Sequence, residues 1–317
     1  MKHATPSNQY KDAGRGVCGV LVAVLLFCAP AWLGAAEKRP RVLTSFLPIY
    51  CWTAHVAGDF AEVENLLSAK AEPHEYAFAP GDARRLAQAD LILVNGLSME
   101  GWLPKFLRST PAARERVVTV TAGLKGELIA GGHHHGHDHD HSAHDESAHA
   151  NPHTWLDPQL AAHGVSNILA ALQKLDPTHA AGYASNAHVY LAKLRQLDID
   201  IRQSLAGLTN RAVVTYHDAF PYFARRYGFE IAGVVEEVPD VSPTGRHLTQ
   251  LGRTMRERKI RAIFIPPGGA SRVARQLATD LRATLGELDT LESGTASPAA
   301  YEERMRANAR SLLQHLK

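Results

Sequence analysis

The stretch at residues 90–94 reads DLILV and is followed at once by Asn95 and Gly96. A short run rich in Leu, Ile and Val that stops at turn-forming residues predicts a strand buried on both faces. Strands of this kind belong to parallel sheets that are covered by helices on both sides. The stretch therefore predicts an α/β fold, provided that further strands alternate with helices along the chain.

That alternation extends in both directions from residues 90–94. In the first half, strands are predicted at 41–46, 62–67 and 117–120, with helices at 49–58, 80–88 and 99–108. After Asn210 the pattern restarts, with strands at 212–216, 229–235, 261–265 and 283–288 and helices at 218–227, 244–258, 270–281 and 298–316. We expect two Rossmann-like lobes with parallel sheets, because strands that alternate with helices form parallel sheets.

The segments 158–175 and 177–206 lie between the halves and keep a helical period of apolar residues. They predict a long rigid backbone helix that joins the lobes. The expected organisation is an N-terminal lobe at 37–157, linker helices at 158–207 and a C-terminal lobe at 208–317.

The first 36 residues are expected to be a signal peptide. Basic residues at Lys2, Lys11 and Arg15 precede an apolar run from 17 to 31, and the small residues 34–36 follow it. This order is that of a secretory signal, and the run is short for a membrane span, although an uncleaved anchor is the alternative. The sequence thus predicts export to the periplasm.

Charge and cysteine content argue against a nucleic-acid-binding protein and against a disulfide-rich one. The chain of 317 residues has 34 Lys and Arg against 32 Asp and Glu, and 45% of it is apolar. Without residues 1–36 the net charge falls to zero, which gives no reason to expect a nucleic-acid partner. Cys51 would then be the sole cysteine, so no internal disulfide is expected. We expect a folded monomer.

The 18 histidines are the unusual feature of the composition, and eight of them lie within residues 133–149. They are His133, His134, His135, His137, His139, His141, His144 and His149. The segment has no apolar period, so we expect a mobile loop that binds metal weakly at several sites. The alternative is a solvated tract with incidental metal affinity.

Three further histidines stand where ligands bind in α/β proteins, beyond the carboxyl ends of strands or next to the loop. His74 follows the strand at 62–67, His217 ends the strand at 212–216, and His153 comes directly after the His-rich loop. Three neutral imidazoles suit Zn²⁺, which takes four ligands in a tetrahedral array. The sequence therefore predicts a metal site at His74, His153 and His217.

Carboxylates near these histidines are candidates for the remaining positions. Asp289 follows the strand at 283–288 and is the expected fourth ligand, with water as the alternative; Asp289 could instead be a turn residue. Four other acids are adjacent to the proposed histidines and suit acceptors that orient imidazole N–H groups, or in the case of the two Glu, ligands: Asp157, Asp218, Glu72 and Glu75.

Five stretches together resemble the zinc-binding solute-binding proteins of bacterial ABC importers, the ZnuA type. They read EPHEYAFAPGDARRLAQADLILVNGLSMEGWL (72–103), NPHTWLDPQLAAHGVSNILAALQKLDP (151–177), TYHDAFPYFARRYGF (215–229), RAIFIPP (261–267) and LDTLESG (288–294). The resemblance extends from about Arg41 to the C-terminus. It implies metal held in the cleft between two lobes, with the ligands at His74, His153, His217 and Asp289.

The resemblance also implies a function. It predicts a periplasmic protein that is not an enzyme, captures Zn²⁺ as cargo and delivers it to an ABC permease with its ATPase, while the His-rich loop acts as a low-affinity antenna. Relatives thought to carry manganese have Glu at the position of His217, so His favours zinc. The alternatives are a periplasmic metallochaperone or adhesin, a carrier of another divalent metal such as Mn²⁺, and an exported zinc hydrolase.

Overall fold

Two parallel sheets with the same strand order form the framework of the protein. The computed structural model describes residues 38–131, 150–236, 241–269 and 272–317. In these residues, the first sheet contains β1 (Arg41–Thr44), β2 (Glu62–Asn65), β3 (Leu91–Val94) and β4 (Val117–Thr119), in the order β2-β1-β3-β4. The second contains β5 (Ala212–Thr215), β6 (Glu230–Val234), β7 (Ala262–Ile265) and β8 (Thr284–Glu287), in the order β6-β5-β7-β8. The predicted α/β class with two sheets is confirmed.

Helices connect the strands and cover the sheets. The first half contains α1 (Leu47–Ala57), α2 (Pro80–Gln88) and α3 (Leu103–Ser109), and the middle of the chain contains α4 (Pro158–Leu175) and α5 (Ala180–Leu205). The second half contains α6 (Pro221–Tyr227), α7 (Gly245–Glu257), α8 (Arg272–Leu281) and α9 (Ala300–His315). No helix in these described ranges has the length and apolar character needed to cross a membrane.

Each sheet reverses its strand order next to its first strand. β1 lies between β2 and β3, and β5 lies between β6 and β7. Where the order reverses, the connections leave in opposite directions and open a crevice at the carboxyl ends of the strands, which is where α/β proteins bind ligands. The residues that follow the carboxyl ends of the strands are therefore placed to contribute to a site.

α5 is the long helix that the sequence predicts. Its 26 residues extend about 39 Å at 1.5 Å per residue. Tyr183, Leu194 and Leu197 on one side of it are fully buried, and α5 packs against α1, α4 and α9. One hydrophobic core includes these residues together with Val42 of β1 and Phe264 of β7, so α5 contributes to the packing of both halves. The exact lobe boundaries at 157 and 207 stay a prediction.

Gly164 allows α4 to pack closely on Trp52 of α1. A Cβ atom at Gly164 would lie 2.9 Å from Cζ3 of Trp52, which is buried. We expect Gly164→Ala to lower the free energy of unfolding by about 1–3 kcal/mol, because the buried indole has to move. Gly81 of α2 is the matched control, since a Cβ there meets nothing within 4 Å, and Gly81→Ala should be neutral or stabilising by up to ~1 kcal/mol. Chemical denaturation of both variants checks this, and equal changes would contradict it.

Candidate metal centre

Three histidines that are far apart in sequence meet at the carboxyl ends of the strands. His74 lies in a short 3₁₀ helix, Pro73–Glu75, that follows β2, and His217 follows β5 by two residues. His153 directly precedes a second 3₁₀ helix, Thr154–Leu156, that leads into α4. The structure thus brings together the three histidines that the sequence predicts as ligands.

The spacing of the imidazole nitrogens fits a tetrahedral metal site. Nε2 of His153 lies 3.3 Å from Nε2 of His74 and 3.2 Å from Nε2 of His217. Zinc–nitrogen bonds of about 2.0–2.1 Å give a tetrahedral edge of about 3.3–3.4 Å. The nitrogens therefore stand at nearly the separations that one Zn²⁺ requires.

Glu292 completes the cluster. Its Oε1 lies 3.0 Å from Nε2 of His74 and 2.9 Å from Nε2 of His153. The hydroxyl of Thr290 donates to the other oxygen, Oε2, at 2.7 Å. One ligand atom from each of His74, His153, His217 and Glu292 lies within 4.8 Å of every other. Three imidazoles and one carboxylate form a donor set that suits Zn²⁺.

The electrostatics of the cluster favour an ionised Glu292. Burial acts to raise the pKa of the Glu292 carboxyl, but hydrogen bonds from His153 and His74 outweigh it and hold this pKa well below its usual range. Burial likewise acts to lower the pKa of His74, but the hydrogen bond and the charge of Glu292 outweigh it, so this pKa is raised. Glu292 therefore contributes a negative charge to the cluster, and this charge favours the binding of a cation.

Asn151 fixes the orientation of the His153 ring. Its Oδ1 accepts from the backbone N–H of His153 at 3.0 Å and lies 2.8 Å from the ring Nδ1. Because Oδ1 is an acceptor, Nδ1 donates a hydrogen bond to it, so Nε2 is the ring nitrogen that faces the cluster and can bind a metal. Nδ2 of Asn151 donates to the carbonyl of Asp218 at 2.8 Å. Sequence reasoning missed Asn151, although it stands only two residues before a predicted ligand.

The structure differs from the sequence prediction at the fourth position, where Glu292 stands in place of Asp289. Oδ1 of Asp289 accepts from the backbone N–H of Leu291 at 2.8 Å, and Oδ2 pairs with Arg304 at 3.2 Å. Both carboxylate oxygens of Asp289 are thus engaged, one by the backbone of the turn after β8 and the other by Arg304 of α9. The chain reverses there at Leu291, which has φ 63°, and the turn delivers Glu292 to the histidines.

The acids predicted to orient the imidazoles differ in the groups that they contact. Asp157 caps α4 by accepting from the backbone N–H of Gln159 at 2.8 Å, and it pairs with Arg226 at 2.8 Å. Asp218 accepts from Nδ2 of Asn151 both through its carbonyl, at 2.8 Å, and through its carboxylate Oδ2, at 3.4 Å. Glu72 lines the cavity beside the cluster. The side chain of Glu75 and the His-rich segment 133–149 lie outside the described residues.

A cavity of ≈ 940 Å³ adjoins the cluster. His74, His217 and Glu292 line it, together with residues of the turns after β6 and β7 such as Glu236 and Pro266. His153 is 2% exposed and forms the inner side of the site. The cavity gives an ion a path from solvent to the ligand atoms.

Comparisons with known proteins find relatives that are described as zinc-binding or zinc-uptake proteins. The family described as "Zinc-uptake complex component A periplasmic" (ZnuA) matches residues 42–315. The high-affinity zinc uptake system protein ZnuA of Bacillus subtilis (strain 168) is 32% identical over 263 residues, which is 82% of each chain. The zinc-binding protein AdcA of Streptococcus pyogenes serotype M3 is 30% identical over 269 residues, which is 82% of this chain and 52% of AdcA. The chain thus spans about half the length of AdcA.

Among solved structures, the solute-binding protein FpvC from Pseudomonas aeruginosa in complex with Mn²⁺ matches with a TM-score of 0.76 and 26% identity. The match covers 88% of this chain and 98% of FpvC. This chain therefore has the two-lobed fold of solute-binding proteins. Proteins with this fold bind more than one kind of divalent metal.

Proposed function

The chain belongs to the zinc-uptake complex component A (ZnuA) family, and from this premise we propose that it captures Zn²⁺ in the periplasm and delivers it to the permease of an ABC importer. Zinc is the cargo of the protein, so the site has to bind it tightly and also release it. The ligands in this proposal are His74, His153, His217 and Glu292. The His-rich loop at 133–149 acts as a low-affinity antenna.

The observation that carries the proposal is the geometry of the four ligand atoms. Nε2···Nε2 separations of 3.2 and 3.3 Å suit a small tetrahedral ion, and imidazole is a better ligand for Zn²⁺ than for Mn²⁺. A carboxylate in the fourth position closes the set. A zinc hydrolase instead keeps one position open for water, so the arrangement favours binding over catalysis.

Calorimetric titration with Zn²⁺, in competition with a chelator, tests the proposal. We expect one tight site per chain, and we expect deletion of residues 133–149 to remove weak additional sites while leaving the tight one. His217→Glu should shift selectivity towards Mn²⁺, because it exchanges an imidazole for a carboxylate. Loss of the tight site on deletion of the loop would contradict the antenna role, and the absence of a tight site in the intact chain would overturn zinc capture.

Delivery to a permease is tested separately, by zinc uptake in cells that lack this chain. Restoration of uptake by the intact chain, but not by a variant that binds no zinc, supports the importer role. A chain that binds zinc tightly and leaves uptake unchanged would instead be a metallochaperone or an adhesin.

A further inference from the structure

The outer surface of α7 and α8 carries an excess of positive charge. Residues 245–282 contain eight Arg and one Lys, all of them exposed, against two acids, Glu257 and Asp280, for a formal net charge of +7. From residue 37 onward the whole chain is formally neutral, so the remainder carries the opposite net charge. Five of the nine basic residues stand on α7 and α8 themselves, and the other four lie in the segments that lead from these helices into β7 and β8. Positive charge is therefore concentrated on and around these two helices.

The packing of the two helices explains why their arginines face outward. Leu251 and Met255 of α7, with Ala274 and Leu277 of α8, are buried in one core with strands of the second sheet. α7 and α8 also pack against each other. Because their apolar sides face the sheet, the arginines lie on the outer sides. We call the exposed side of α7 and α8 the α7–α8 face.

A groove of ≈ 520 Å³ lies between the two helices on this face. Leu248, Leu277 and Leu281 contribute apolar surface to it, Arg256 and Arg272 contribute guanidinium groups, and Asp280 contributes a single carboxylate. Guanidinium groups bind phosphate through paired hydrogen bonds, which an ammonium group cannot form in the same geometry. An apolar groove with arginines beside it suits a ligand that combines phosphate with apolar groups.

We propose that the α7–α8 face binds the surface of an anionic phospholipid bilayer, with its arginines on the lipid phosphates and the groove against the glycerol and upper acyl region. Several basic side chains near an anionic lipid surface add up to binding that salt weakens. A protein partner would have to present acids at matched, fixed positions, whereas a fluid lipid surface brings phosphates to arginines wherever they stand. Arg258 contributes less than the others, because Glu230 already pairs with it. The inference goes beyond zinc capture and does not depend on it.

Co-sedimentation with protein-free vesicles tests the proposal. The intact chain should bind vesicles that contain phosphatidylglycerol, should not bind pure phosphatidylcholine, and should dissociate between about 50 mM and about 300 mM salt. A variant with four exposed arginines of the face replaced should lose at least ~10-fold in vesicle partition. The substitutions are Arg246→Gln, Arg253→Gln, Arg256→Gln and Arg272→Gln.

A second variant changes the net charge equally at four exposed arginines elsewhere. Its substitutions are Arg84→Gln, Arg108→Gln, Arg114→Gln and Arg195→Gln. This control should keep nearly all vesicle binding, and both variants should keep the circular dichroism spectrum and the zinc titration of the intact chain. Equal losses in the two variants, equal binding to neutral vesicles, or binding that appears only when a membrane protein is added would each overturn the proposal.

Discussion

Replacement of His153 by alanine is expected to abolish the tight zinc site, with a loss of affinity of more than ~100-fold, because loss of a residue that merely orients a ligand already costs 10–100-fold. His153 is central to the cluster. Its Nε2 lies 3.3 Å from His74, 3.2 Å from His217 and 2.9 Å from Glu292. Without this ring the remaining ligands no longer surround one point.

His188→Ala is the matched control, because His188 is exposed on α5 and lies outside the cluster. Titrations with a competing chelator separate the tight site from weak binding elsewhere in the chain. We expect His188→Ala to bind zinc as the intact chain does, and both variants to unfold at similar denaturant concentrations. A His153→Ala protein that is folded and retains the tight site would refute the proposed ligand set.

The histidines of the site could be predicted because strand ends are a property of the sequence. A buried run such as DLILV predicts a parallel strand, and a polar residue directly after such a strand reaches the carboxyl edge of the sheet. His217 follows β5 in this way, whereas His74 lies farther along, in the short 3₁₀ helix of the segment after β2. The position of His153 depended on the His-rich segment and on the resemblance of the NPHTWLDP motif, since no predicted strand precedes it directly.

Glu292 could not be predicted in the same way, because its position depends on the path of the turn after β8. Both Asp289 and Glu292 occur in LDTLESG, and their distance from the strand favours Asp289. Asp side chains, however, often accept from the backbone two residues onward and thereby build turns. The bond from Leu291 N–H to Asp289 is of this type. A tertiary contact also holds the turn, since the indole N–H of Trp155 donates to the carbonyl of Thr290 at 2.7 Å.

The role of Asp157 as a helix cap can be predicted from the sequence. An Asp directly before a Pro at the start of an apolar helical pattern is the signature of a helix N-cap with proline in the first turn. The structure has this arrangement at Asp157 and Pro158, at the start of α4. Proximity to His153 in the sequence predicts a role beside the metal, but the carboxylate is used elsewhere. The cap, together with the pair to Arg226, occupies the Oδ1 atom of the carboxylate.

Glu292→Gln is expected to lower zinc affinity by at least ~100-fold, since it replaces the anionic metal ligand with a neutral amide. The substitution preserves the shape of the side chain but removes its negative charge, and a neutral amide is a poor partner for a dication. The low pKa of Glu292 means that the carboxylate is ionised at neutral pH, so this charge is present in the intact protein. Competition titration measures the loss.

The matched variant is Asp289→Asn, which separates the structure from the sequence prediction. Its amide oxygen can still accept from Leu291, and only the charge opposite Arg304 is lost, so we expect a change in zinc affinity of at most ~3-fold and a stability loss of about 1 kcal/mol or less, as for a partly exposed ion pair. If Asp289→Asn lowered zinc affinity as much as Glu292→Gln, Asp289 would be the ligand after all.

A second measurement identifies the carboxylate that lies beside the histidines without relying on zinc binding. The hydrogen bond and charge of Glu292 raise the pKa of His74, so in the metal-free protein Glu292→Gln should lower that pKa. Asp289→Asn should leave the His74 pKa nearly unchanged, because Asp289 directs its carboxylate to Arg304 and Leu291 rather than to the histidines. Titration of the imidazole signals by NMR reports both changes. A His74 pKa that responded to Asp289→Asn and not to Glu292→Gln would place the wrong carboxylate beside the histidines, whatever the zinc affinities showed.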